Sequence, residues 1–216
     1  MTSQDSGASE RPQGPIRVRP KNPFTGPTVW LPLRYLIAGQ ASLFLAVLLA
    51  LIHAEDLLDF YYQGRVLAIT HLVTLGWITT TIMGASFFVA PLILSVPLYS
   101  ERLGRWQFPP LVVGMAIMVG HFWTGHYRGV VQGALLVLLA TILFVVNLTL
   151  TLHRMSRKDV STRYLVASLA YLGATVILGN LMALDKVLDF LGGQVLATIQ
   201  GHAHLAALGW VSMMIL

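Results

Sequence analysis

The chain alternates between long apolar stretches and short polar breaks. A polar lead of 29 residues gives way to "LRYLIAGQASLFLAVLLALIH" (33–53). A break rich in acids and aromatics, "AEDLLDFYYQGR" (54–65), follows it. Further apolar stretches occupy roughly 64–96, 109–125, 130–153, 164–184 and 191–216. A helix that crosses a bilayer needs about 20 mostly apolar residues. The pattern therefore predicts an all-α polytopic membrane bundle of about six transmembrane helices. The connections are short, so neighbouring helices should run antiparallel. The second stretch is the longest and carries Pro91 and Pro97 at its far end. The sixth stops at "VSMMIL" without a polar cap, a basic anchor or a turn signal. The bundle, 30–216, thus reads as incomplete at its C-terminus. Residues 1–29 are rich in Pro, Gly, Arg and Lys and have no apolar signal-peptide core, so they read as a disordered cytoplasmic tail.

Composition supports the same class. The sequence is 56% hydrophobic and 11% charged, against roughly 25% charged in a soluble domain. Its mean hydropathy is +0.71. It has no cysteine, which excludes disulfides, thiolate ligands and cysteine nucleophiles together. A metal or heme would have to be held by His, Met or oxygen. In so apolar a chain the net charge of +5 points to basic loops facing the cytoplasm rather than to nucleic acid. With the N-terminus inside, the outer loops hold only Arg65, Arg128 and Lys186, against 11 inner Lys and Arg. Those outer loops also carry Glu55, Asp56, Asp59, Asp185 and Asp189. The bias predicts an N-in orientation.

An internal repeat appears when His71 is aligned with His204, an offset of 133 residues. "HLVTLGWITTTIM" (71–83) then lies over "HLAALGWVSMMIL" (204–216), with His, Leu, Leu, Gly and Trp coinciding. The copies lie four helices apart, on the second and sixth spans. The chain reads as a four-helix repeat unit plus the start of a second copy.

The histidines are the candidate chemistry. An ionisable side chain within a bilayer is costly and counts as functional by default. His71, His202, His204 and His121 all fall in the outer half of the expected membrane, the shared depth that a cofactor held between helices requires. Residues two apart on a helix lie about 200° apart. His202 and His204 in "GHAHLAALGW" (201–210) therefore point to opposite flanks and cannot bind one metal from a regular helix. Either both ligate different groups, or one simply hydrogen-bonds. His121 sits near the interface, where an anchoring role competes with ligation. His53 and His153 read as interfacial caps and His126 as a solvated loop residue. Gly76, Gly84 and Gly209 allow close helix approach. Trp77 and Trp210 either wall a planar ligand or fill core.

At these residues the chain resembles subunit I of the heme–copper oxidase superfamily. "HLVTLGWITTTIMGASFFVAPLIL" (71–94) is similar to the family's second helix, and "GHAHLAALGW" is similar to the His-x-His of its tenth. The resemblance implies heme, of b type, with His71 as a low-spin heme ligand and copper as a further candidate. His202 and His204 would then serve two hemes from one helix. By helix count, however, they lie on the sixth span, which in the family supplies a copper ligand, so that assignment stays open beside the first. His71, His202 and His204 are thus the candidate metal ligands, with His121 as a further cofactor contact. The resemblance also implies a bacterial inner membrane, electron transfer from an outer-side donor towards oxygen or nitric oxide, and other respiratory subunits as partners beside the lipid bilayer. This chain alone lacks the helices of a complete catalytic centre. The alternative reading is a non-catalytic membrane protein: a nitric-oxide or metal responder, a heme or copper assembly factor, or a transporter.

Overall fold

The computed structural model describes residues 29–94, 96–155 and 160–215. Six long helices build it, and no strand occurs among the described residues. Helix α1 is Trp30–Ile52. Helix α2 runs Gly64–Leu94 and contains a π-helical stretch, Leu72–Thr79. Helices α3, α4 and α5 are Glu101–Thr124, Tyr127–Leu152 and Val160–Leu188. Helix α6 covers 195–215 and has a π-helical stretch of its own, Leu205–Ser212. Helices α1, α2, α4 and α5 are long and apolar enough to cross a membrane. Gln107, Pro109, Pro110 and His121 dilute α3, and Gln200, His202 and His204 dilute α6. The architecture is an all-α membrane helix bundle. The expected tail falls, but for Val29, outside the described residues, as does Leu216, the last position of the repeat.

Successive helices pack side by side, from α1 on α2 through to α6 on α5. His53 and His153 end α1 and α4 as their C-caps. Helix α3 begins eight residues earlier than the apolar pattern suggests, because Pro109 and Pro110 lie inside it rather than at its start. Proline removes a ladder hydrogen bond, but neighbouring helices can hold the backbone in place within a membrane. The true start is set by Ser100, whose Oγ accepts from the Leu103 N–H at 3.2 Å. Asn147 of α4 holds that cap from both sides. Its Oδ1 accepts from the Ser100 N–H at 3.0 Å and its Nδ2 donates to the Ser100 carbonyl at 2.8 Å.

Two apolar clusters fill the interior. One joins Tyr35, Met83, Phe87, Phe144, Leu172 and Trp210. The other, towards the end of the bundle that carries residues 53–63, joins Ala46, Leu72, Met118, Phe122, Val130 and Ala183. Trp210 is core: it is 1% exposed and meets Phe144 edge-on at 6.0 Å. Its Nε1–H donates to Thr79 Oγ1 at 3.2 Å. That bond links the π-helical stretch of α6 to that of α2, joining the helix that bears His202 and His204 to the one that bears His71.

Candidate functional site

The repeat is visible in the backbone. His71 is the last α-helical residue before Leu72–Thr79, and His204 the last before Leu205–Ser212. Both π-helical stretches have eight residues and keep the 133-residue offset. Stretches of π-helix are rare and concentrate at functional sites. Here each one follows a histidine directly.

Depth is shared as well. His71 lies seven residues in from Gly64 and His202 seven in from Val195, roughly 10 Å at a 1.5 Å rise. His204 lies two residues deeper. His121 is three residues from the end of α3 at the same end of the bundle.

Three of these rings share one hydrogen bond. Nδ1 of His71 donates to the Leu67 carbonyl at 2.7 Å, that of His204 to Gln200 at 2.7 Å, and that of His121 to Ile117 at 2.8 Å. A carbonyl can only accept, so Nδ1 carries the hydrogen and Nε2 keeps the lone pair. This is how a metal-ligating imidazole is oriented: the bond made by one nitrogen fixes the tautomer and frees the other.

His202 differs. Its Nδ1 is buried and has no hydrogen-bond partner. The ring lies against α5 at Gly179, where a Cβ would come within 2.9 Å of Cε1. His71 is its electrostatic neighbour, and the His71 ring stacks on Phe122 at 5.2 Å and 26°. A buried polar atom left unpaired costs about 1–3 kcal/mol, and such atoms call for a specific explanation.

The two histidines of α6 do face opposite flanks. His204 is exposed and opens into a cavity of about 490 Å³ lined by Tyr171, Gly201, Leu208 and Met213 among others. His121 packs against Gly129 of α4 and edge-on to His126 at 6.5 Å, in the α3–α4 hairpin. Among these histidines, His71 and His202 are the two that act on each other electrostatically. Among the described residues, no cluster of three or more His, Asp or Glu is placed to hold a metal ion.

The sequence does not single out Phe122 or Gly179, the residues that hold these rings. A glycine in a membrane helix signals close approach but not what approaches.

Beyond the histidines, the 53–63 end is closed by aromatic and charged contacts. Lys186 of α5 lies two turns past Gly179, with Nζ 3.8 Å from the Tyr62 ring and 4.7 Å from that of Tyr127. Burial raises the pKa of the Tyr62 hydroxyl above its ordinary value, and Asp185 and Tyr127 push it the same way. Arg65 pairs with Asp56 at 3.0 Å and lies 5.5 Å over Trp123.

The chain is 31% identical over 153 residues to the Cbb3-type cytochrome c oxidase subunit CcoN1 of Stutzerimonas stutzeri. The match takes in 63% of this chain and 30% of that protein, so the chain spans about a third of this relative's length. No protein-family model matches, and no solved structure does. The likeness to an oxidase subunit I is a distant one.

Proposed function

We propose that the chain is the heme-holding part of a membrane electron-transfer protein of the oxidase subunit I type, with His71 and His202 as paired iron ligands. The observation that carries this reading is the buried, unpartnered Nδ1 of His202, a ring on which the His71 charge acts; His71 spends its Nδ1 on the Leu67 carbonyl and keeps the Nε2 lone pair. Two neutral imidazoles suit a low-spin heme iron; a copper centre needs further donors that do not join this pair among the described residues. Heme held between two imidazoles supplies a one-electron carrier.

The chain's own residues do the positioning. The Leu67 carbonyl fixes the His71 tautomer, Phe122 fixes its ring plane, and Gly179 leaves room for His202. The Thr79–Trp210 bond holds α2 and α6 in register. His204, on the other flank, is the ligand position for a second group, heme or copper, and His121 is a peripheral contact. The setting is a bacterial inner membrane, N-terminus in the cytoplasm, with electrons from an outer-side donor passing towards oxygen or nitric oxide in company with other respiratory subunits. The relative's description supports this setting, and the loop charges support the orientation.

The test is absorption spectroscopy of the purified chain supplied with b-type heme. A bis-imidazole Soret and α band is expected, lost in both His71→Ala and His202→Ala and kept in His204→Ala. A wild-type chain that takes up no heme, or a His71→Ala spectrum identical to wild type, would overturn the proposal.

A further inference from the structure

At the other end of the bundle, α1 and α3 meet in a fixed corner. Tyr35 of α1 donates its hydroxyl hydrogen to the Gly104 carbonyl of α3 at 2.7 Å. Leu31 packs against Gly104, where a Cβ would come within 2.9 Å of it. This contact sets three arginines on one corner. Arg34 lies 5.7 Å over the Phe108 ring of α3. Arg105 lies one turn before Phe108, and Arg102 a turn before Arg105; all three are exposed. Among the described residues three ion pairs form, and Arg34 takes part in none of them. Arg105 reaches Glu101 only at 3.9 Å. Trp30 and Trp106 flank the corner at 70% and 72% exposure, and tryptophan is enriched at the membrane–water boundary.

Among the described residues, three cations stand against one carboxylate between Trp30 and Trp106, a surface that suits an anionic counterpart at the same depth. We infer that the α1–α3 corner binds the phosphate headgroup of an anionic phospholipid, with Arg34 and Arg105 as its principal contacts. Arginine suits this role, because its planar fork pairs phosphate oxygens two at a time. Basic pockets between membrane helices are a recurrent way of holding such headgroups. Phe108 orients the Arg34 guanidinium from one side and leaves its edge for the phosphate. The corner is remote from the histidines and does not depend on heme.

Tryptophan quenching tests this; because the chain holds five tryptophans, the signal of Trp30 and Trp106 is read as the difference from a Trp30→Phe, Trp106→Phe reference. The full chain is placed in phosphatidylcholine bilayers and titrated with brominated phosphatidylglycerol or, separately, brominated phosphatidylcholine. Quenching by the anionic lipid should saturate at a lower mole fraction. Each basic residue near an anionic surface contributes roughly fivefold to binding. Arg34→Gln with Arg105→Gln should therefore weaken the preference about twenty- to thirtyfold. Arg34→Lys with Arg105→Lys should keep most of it, and Arg128→Gln, at the opposite end, all of it. Helicity by circular dichroism checks that each variant is folded. Equal quenching of wild type by both lipids overturns the inference. So does a folded double glutamine variant that keeps the preference, or an equal loss in Arg128→Gln, which would make the effect one of net charge.

Discussion

The bond between Trp210 and Thr79 is the direct link between the two histidine-bearing helices, and it can be weighed by a double-mutant cycle. Phe at 210 keeps an aromatic ring against Phe144 but removes the donor and part of the indole volume. Val at 79 keeps the shape of Thr and removes the acceptor. Losing roughly 40 Å³ from a site that is 1% exposed costs about 1 kcal/mol at ~24 cal/mol per Å³. The donor–acceptor distance of 3.2 Å lies at the long end of the usual range, so an average intramembrane bond, about 0.6 kcal/mol and at most about 1.7, is the right scale. Trp210→Phe should then cost about 1.5–2.5 kcal/mol. The double variant should be less destabilised than the sum of the singles by about 0.6 kcal/mol. Equilibrium unfolding in mixed micelles, followed by far-ultraviolet circular dichroism, measures all four corners without relying on tryptophan emission. Additivity to within about 0.3 kcal/mol, the behaviour of independent sites, would refute the contact and the α2–α6 register read from it.

Gly179→Val should crowd the His202 ring, which already lies 2.9 Å from where a Cβ would be, and cost about 1–3 kcal/mol through overpacking. Gly173→Val on the same helix, where a Cβ meets nothing within 4 Å, should stay within about 0.5 kcal/mol; equal effects in the same unfolding assay would contradict the packing. Tyr62 gives a pH signature. Its hydroxyl pKa is raised above 10.0, so the folded state keeps the proton where the unfolded state releases it. The stabilisation is complete below pH 10 and is lost as pH rises through the folded-state value. Wild type should lose stability more steeply than Tyr62→Phe above about pH 10, and parallel profiles would count against the burial of that hydroxyl.

The histidine positions show how far the sequence carries. Six apolar stretches and their short breaks fixed which segments become helices, because a bilayer admits few other solutions. The 3.6-residue period fixed that His202 and His204 diverge, and the structure places one ring inside and the other exposed. The start of α3 was hidden, since Pro109 and Pro110 suit a helix's first turn better than its interior, and the deciding cap, Ser100, is held in place by Asn147, 47 residues away. The pairing of His71 was hidden for a different reason. The repeat makes His204 its equivalent, and both do begin a π-helical stretch. Equivalent residues, however, occupy the same place in successive units rather than facing each other, and the ring on which the His71 charge acts is that of the non-equivalent His202.

The looser winding after each histidine has a consequence for how this fold can change. In α2 the residues before the π-helical stretch aim an imidazole, and those after it, such as Met83 and Phe87, pack the core. A continuous α-helix would lock the two directions together at 100° per residue. An intervening turn of different pitch uncouples them, so the imidazole can be re-aimed by altering the winding while the packed half stays in place. The two copies hold their rings in different settings from the same position relative to the turn: His71 stacks on Phe122 inside the bundle, and His204 looks out of it.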